Sequence, residues 1–362
     1  MGTMHQINTA SSSIALEDLE CKLLDNFQRD FPLVPRPFYE LAQRLGVDEA
    51  LVITTLQSLQ MRGLVSRVGA VFRPNVVGVS TLAALAVPAA RLDAVAIQVN
   101  AFAEVNHNYE REHRFNLWFV ATAASVAHLQ ALLREIEAVC ESGPVLKLPL
   151  LEQFHIDLGF DLGFGMAAAS LPSCQSDPVN QNNKQAPAEV AAIALSPSEQ
   201  AFMSALQRGL PLVARPFAQL ECAESDALAT LGRWCGDGVI KRFGVVVRHH
   251  ELGFTANAMV VWDVPDALVT VVGKRIADSG RVSLCYRRPR HLPDWPYNLF
   301  CMIHGKDRTE VEQTIADLVK KYGLDEYPRS ILFSRRRFKQ CGAQYVMNTI
   351  PSTSPELAYG PD

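Results

Sequence analysis

"VNHNYEREHRFNLWFV", residues 105–120, returns later in the chain as "VSLCYRRPRHLPDWPYNLFCM", residues 282–302. Each copy reads as two strands joined by a turn, and the second turn is lengthened by the insertion "PRHLPDW". Residues two apart on a strand share a face. His107, Tyr109 and Arg111 therefore line one surface, with Asn116 and Trp118 on the return strand. A proton donor, a phenol and a guanidinium side by side make a candidate site. The plain alternative is the solvated face of an edge strand.

Other segments recur in the same order. "PLVPRPF" (32–38) returns as "PLVARPF" (211–217), and "GLVSRVGAVFR" (63–73) as "GVIKRFGVVVR" (238–248). An ordered set of repeats at a nearly constant offset marks a duplication. The stretch between the halves, "MAAASLPSCQSDPVNQNNKQAPAEVAA", has little to bury and reads as a flexible linker over 165–195, with a second such tail over 347–362.

Each half divides in the same way. Residues 15–66 read as three short helices, the last two (37–45 and 48–62) joined by a tight glycine turn, then a wing-like strand pair at "GLVSRVGAVFR". That is a winged helix-turn-helix. Strand, helix, strand, strand, helix, strand follow, from "TLAALAVP" to "VLKLPLLEQFHI", which is the ferredoxin-like order. The expected fold is α+β: helix-turn-helix domains over 15–75 and 196–250, and ferredoxin-like domains over 76–164 and 251–346.

Composition narrows the function. The chain of 362 residues is 48% hydrophobic and 20% charged, with a net charge of -4. That balance offers nucleic acid no general attraction. The eight cysteines stand singly with no C-x-x-C, against a zinc or iron–sulfur site and for a reducing compartment. The first residues, "MGTMHQINTASSS", lack the basic flank and apolar stretch of a signal peptide, and no apolar run is long enough to span a membrane. A cytoplasmic protein is expected.

A helix-turn-helix followed by this small domain resembles the Lrp/AsnC transcription regulators, so a DNA-binding regulator is one reading. DNA affinity comes from Lys and Arg on phosphates. Yet "DEALVITTLQSLQMRG" opens on two acids and carries no base before Arg62, and its counterpart "AESDALATLGRWCGDG" carries only Arg233. No DNA binding is expected, and the helix-turn-helix reads as a retained packing module.

The copies share Tyr109/Tyr286, Arg111/Arg288, Arg73/Arg248 and Asn116/Asn298, which read as a common ligand-binding frame. Their histidines differ: His107 aligns with Leu284, while His249 and His250 face Pro74 and Asn75. "HNYERE…FNLWFV", "RFGVVVRHHELGFTANAMVVWDVP" and "CYRRP…WPYNLFCMIHG" together resemble the sirohaem decarboxylases of haem d1 biosynthesis, in their fused two-half form. The resemblance covers nearly the whole chain apart from linker and tails. It implies conversion of sirohaem to 12,18-didecarboxysirohaem, two acetates becoming methyls with release of two CO2.

The residues suit such a substrate. Sirohaem carries many carboxylates, for which Arg is a bidentate partner; Arg73, Arg111, Arg248, Arg287 and Arg288 are the candidates. Trp118, Tyr109, Tyr286, Trp295 and Tyr297 could wall a flat macrocycle, with Asn116, Asn298 and His250 as further contacts. The conjugated ring can take the electron pair left by CO2, so no separate cofactor or protein-bound metal is expected; the iron belongs to the substrate. A general acid is needed, and the resemblance maps it most naturally onto His107 and His249, beside Tyr109 and Arg111. His113, His128, His155, His291 and His304 read as ordinary surface or loop histidines, and "SRRRFKQ" (334–340) as a solvated strand end, with propionate binding as the alternative. The two halves are expected to form a pseudo-dimer within one chain. A homodimer of such chains and contacts with other haem d1 enzymes are compatible with the resemblance, and a non-catalytic sirohaem carrier is the other alternative.

Overall fold

The computed structural model describes residues 4–8, 13–29, 31–73, 75–156 and 195–342. The expected linker up to residue 194, the expected tail over 347–362, and Pro74 lie outside the described residues, as do the side chains of His249 and His250.

An N-terminal hairpin, β1 (Met4–Asn8) and β2 (Ser13–Glu17), precedes α1 (Asp18–Asn26), α2 (Pro37–Leu45) and α3 (Glu49–Met61). Helix α2 starts on Pro37, whose fixed φ suits the first helical position, and stops at Gly46 with φ 69°. The second half begins with α6 (Pro197–Arg208), held by a capping box between Ser196 and Glu199, and continues to α7 (Glu224–Gly236). Where α2 has its counterpart, the second half has only a single 3-10 turn, Phe217–Gln219. The second helix-turn-helix has lost its middle helix.

The wing is not a hairpin within each half. "GLVSRVGAVFR" forms one strand, β3 (Val65–Phe72), and its repeat forms β9 (Ile240–Val247); the two pair antiparallel with each other. Gly69 stands opposite Gly244, its own equivalent, so the local two-fold axis relating the halves passes between these glycines. A Cβ on Gly244 would lie 2.4 Å from the Phe27 carbonyl oxygen, and Val245 N–H donates to that same oxygen at 2.7 Å. The close approach requires glycine. Both helical regions share one hydrophobic core, in which Phe38, Leu56 and Val68 meet Phe217, Leu231 and Val245.

The first α+β domain runs β4 (Val79–Leu85), α4 (Leu92–Asn100), β5 (Val105–Arg111), β6 (Leu117–Ala123), α5 (Val126–Cys140), β7 (Leu146–Pro149) and β8 (Glu152–Ile156). The second runs β10 (Ala256–Trp262), α8 (Val269–Ala277), β11 (Leu284–Arg287), β12 (Leu299–Gly305), α9 (Arg308–Tyr322) and β13 (Arg329–Gln340). The strand order is β7-β4-β6-β5-β13-β10-β12-β11-β8. Each half thus has the ferredoxin-like order, and each lends its last strand to the other. The end of β13 pairs with β5 of the first half, while β8 leaves the first half to pair with β11. "SRRRFKQ" is therefore a crossing strand, with Arg335, Arg336, Arg337 and Gln340 exposed as a solvated strand end would have them.

This continuous nine-stranded sheet consists of a smaller sheet from each half, and each of these packs its helices on one face, around Phe119 and Ile136 in one half and Val260 and Ile315 in the other. The opposite faces meet each other. Trp118, Leu148, Met259, Phe300 and Leu332 form a core shared by both sheets. Trp295, from the inserted turn, is fully buried there, its ring 5.2 Å from that of Trp118. No helix among the described residues is long and apolar enough to cross a membrane.

Candidate functional site

The inter-sheet space is filled at one end by Trp295 and open at the other, where the wing strands cover it. There lies a cavity of about 610 Å³, within the ~300–1,000 Å³ usual for small-molecule sites. Both halves build it. Strand β5 contributes His107, Tyr109 and Arg111 from one face, as strand alternation requires, and β11 with the residue after it contributes Leu284, Tyr286 and Arg288 from the equivalent positions. Trp118 and Phe300, opposite Tyr109 and Tyr286 in the strand registers, are equivalent aromatic floor residues.

The charge of the walls is one-sided. Eight Lys and Arg line the cavity and, among the described residues, no Asp or Glu does. Arg111 is buried; its Nη1 donates to Asn257 Oδ1 at 3.3 Å and to the Leu332 carbonyl at 3.0 Å. Arg288 donates through Nη1 to the Leu148 carbonyl, and its guanidinium lies 5.1 Å from the Tyr286 ring centre. The Arg288 Nε is buried with no partner among the described residues. Burial pushes both guanidinium groups down to about 10, which leaves them charged at neutral pH. Burial likewise raises the Tyr109 and Tyr286 phenols, which stay neutral donors.

His107 is incompletely compensated as well. Burial pushes its imidazole down to about 4, and its buried Nδ1 meets no hydrogen-bond partner among the described residues. An isolated buried ring nitrogen costs free energy unless a ligand completes it. The equivalent of His107 is apolar Leu284, so this feature belongs to one half only.

Several sequence candidates stand elsewhere. Asn116 clamps the turn at Val87, accepting its N–H at 2.9 Å and donating to its carbonyl at 2.8 Å; Asn298 does the same at Val264, at 3.0 and 2.9 Å. The retained asparagines therefore hold β-strand ends together and do not line the cavity. Arg73 donates from Nε to the Gly238 carbonyl at 2.9 Å outside the cavity walls, whereas its equivalent Arg248 lines them. Arg287 points the other way on its strand and pairs with Asp266. Trp295 and Tyr297 back the floor and do not form it, their rings 5.0 Å apart. His249 and His250 begin a 3-10 turn, His249–Leu252, that follows β9.

The cavity also holds residues that the sequence reading left out. His304 lines it from β12, its Nδ1 2.9 Å from Ser283 Oγ. The equivalent pair in the first half is Thr122 and Asn106, bonded at 2.8 Å. His304 is thus an unshared histidine like His107, and the same comparison of copies could have found it. Arg337 comes from the crossing strand and pairs with Glu251 at 2.8 Å. Arg67 and Arg242 come from the wing, where the repeat aligns them with each other.

A family model described as the AsnC-like ligand binding domain matches residues 77–155 and 251–339. A second, described as the siroheme decarboxylase NirDL-like HTH domain, matches residues 20–65. The chain is 45% identical, over 91% of its length and 98% of the relative, to the siroheme decarboxylase NirDL subunit of Paracoccus denitrificans. A crystal structure of the siroheme decarboxylase NirDL aligns with a TM-score of 0.66 at 29% identity, covering 91% of this chain and 95% of that one. A structure of NirDL in complex with an iron-uroporphyrin III analogue aligns at 0.64 and 29%, covering 91% and 93%.

Proposed function

This chain belongs to the sirohaem decarboxylase family, and from that premise we propose that its cavity binds sirohaem and converts it to 12,18-didecarboxysirohaem. The observation that carries this reading is the wall of eight cations, with no carboxylate among the described residues, set over a floor of Trp118 and Phe300. A flat, polyanionic macrocycle satisfies both features at once. The relative solved with an iron-uroporphyrin III analogue supports the same class of ligand.

Each reaction step breaks the bond between an acetate methylene and its carboxylate. CO2 leaves, and the electron pair passes from the exocyclic carbon into the conjugated ring. One proton delivered to that carbon then completes a methyl group. The step is non-oxidative and calls for no cofactor beyond the substrate. Arg111, Arg288 and Arg248 hold carboxylates, while Tyr109 and Tyr286 position the ring as neutral donors.

His107 supplies the proton, with His249 as the second candidate acid. In the empty cavity the His107 imidazole is neutral, because burial holds its pKa at about 4. A bound polycarboxylate places negative charge beside it and favours the imidazolium. Substrate binding itself therefore charges the acid, which keeps an uncompensated cation out of the empty site.

Anaerobic incubation with sirohaem followed by mass spectrometry tests this reading. Loss of two CO2 per macrocycle is expected. Unchanged sirohaem retained on the protein would make it a carrier instead, and retarded duplex DNA in a low-salt gel shift would restore the regulator reading.

A further inference from the structure

We propose that the two wing strands form the carboxylate-binding roof of the cavity, with Arg67 and its equivalent Arg242 as a two-fold-related pair of anion contacts. The inference rests on the substrate class proposed above and adds a role for the wing, which in a winged helix-turn-helix ordinarily faces nucleic acid. Strands β3 and β9 pair about Gly69 and Gly244, and Arg67 and Arg242 occupy equivalent positions on them. Both line the cavity.

Their settings repeat as well. Arg67 Nη2 donates to the Ala70 carbonyl at 3.1 Å, and Arg242 Nη1 donates to the equivalent Val245 carbonyl at 3.4 Å, with a further bond to the Gln28 carbonyl at 2.7 Å. Backbone carbonyls orient both guanidinium groups towards the cavity. Arg67 Nε is buried with no partner among the described residues, and burial lowers its pKa. A charged fork kept out of water, beside a cavity with no acidic side chain among the described residues, is completed by an anion from outside. Arg presents two parallel donors to a carboxylate, so each roof arginine suits one carboxylate of a polycarboxylate tetrapyrrole.

The alternative is that Arg67 only stiffens the wing. Absorbance titration of the full-length protein with sirohaem separates the two, alongside thermal unfolding of each variant. Arg67→Gln should weaken binding by about ten- to a hundredfold at an unchanged melting temperature, with Arg67→Lys recovering part of the loss. Arg242→Gln should show the same pattern and gives an independent reading if Arg67→Gln does not fold. The weakening should also shrink at high salt, where charge contacts are screened. Wild-type protein that fails to bind sirohaem would overturn the proposed function. Wild-type protein that binds, with a folded glutamine variant binding within twofold of it, would overturn the roof alone.

Discussion

Arg111 and Arg288 make the same bond in opposite directions across the molecule. Arg111, on the first half, donates to the carbonyl of Leu332 on the second; Arg288, on the second, donates to the carbonyl of Leu148 on the first. Leu332 pairs with Met259 and Leu148 with Leu82, so the two acceptors are equivalent as well. These arginines tie the sheets together where the cavity opens between them. They hold the fold together and line the cavity at once.

Arg111→Ala and Arg288→Ala should therefore lower both stability and affinity. A hydrogen bond from a charged donor contributes about 1.5–3 kcal/mol, so sirohaem affinity should fall by roughly ten- to a hundredfold. Thermal unfolding and ligand titration on the same samples check this. Unchanged affinity in both variants would remove the two arginines from the binding site.

The paired wing glycines should respond unequally to the same change. An added Cβ at Gly244 would meet backbone oxygens at 2.4 and 2.6 Å, while at Gly69 its nearest neighbour lies 3.4 Å away. Gly244→Ala must push α1 away from the wing and should destabilise by several times more than Gly69→Ala. Urea unfolding of both variants gives the comparison. Equal losses would mean that the close approach to Phe27 is not a constraint.

His107 links stability to pH. Its folded pKa of about 4 lies below the ordinary 6.5, so the unfolded chain takes up the proton first. This contribution to stability is fully present above pH 6.5 and is lost as pH falls towards 4. His107→Gln should flatten the slope of stability against pH within that window. Bound sirohaem should reduce it too, by raising the folded pKa. Denaturant titrations at closely spaced pH values provide the test, and an unchanged slope in the variant would place the buried charge penalty elsewhere.

Much of the fold is legible in the repeats because duplication preserves both order and strand alternation. "VNHNYER" places His107, Tyr109 and Arg111 on one face by its period alone, and the structure keeps them together. Pairing between halves is different. Nothing local in "GLVSRVGAVFR" tells a strand that pairs with its neighbour from one that pairs with its distant copy, so the wing reads as a hairpin until β9 is seen beside β3. The same holds for β8 and β13, whose exchange decides that "SRRRFKQ" borders the cavity. Retention in both halves also misleads for Asn116 and Asn298, because a turn clamp is duplicated as faithfully as a ligand contact.

If His107 and His249 are the proposed acids, they decide how the two decarboxylations are shared. The cavity is built from both halves, with His107 on the first and His304 on the second, at positions that are not equivalent. On the proposed reading of one composite pocket, each turnover uses a group from each half. A general acid contributes roughly 10²–10⁴-fold, so His107→Ala should abolish both CO2 losses while leaving sirohaem bound. His249→Ala should do the same if His249 serves that pocket, and His304→Ala should slow both losses together. Product analysis by mass spectrometry and chromatography gives the answer. Two different monodecarboxylated isomers, one from His107→Ala and the other from His249→Ala, would show that the acids serve separate sites. Full activity in His107→Ala would remove it from the chemistry, because the proton that completes each methyl would then come from another group.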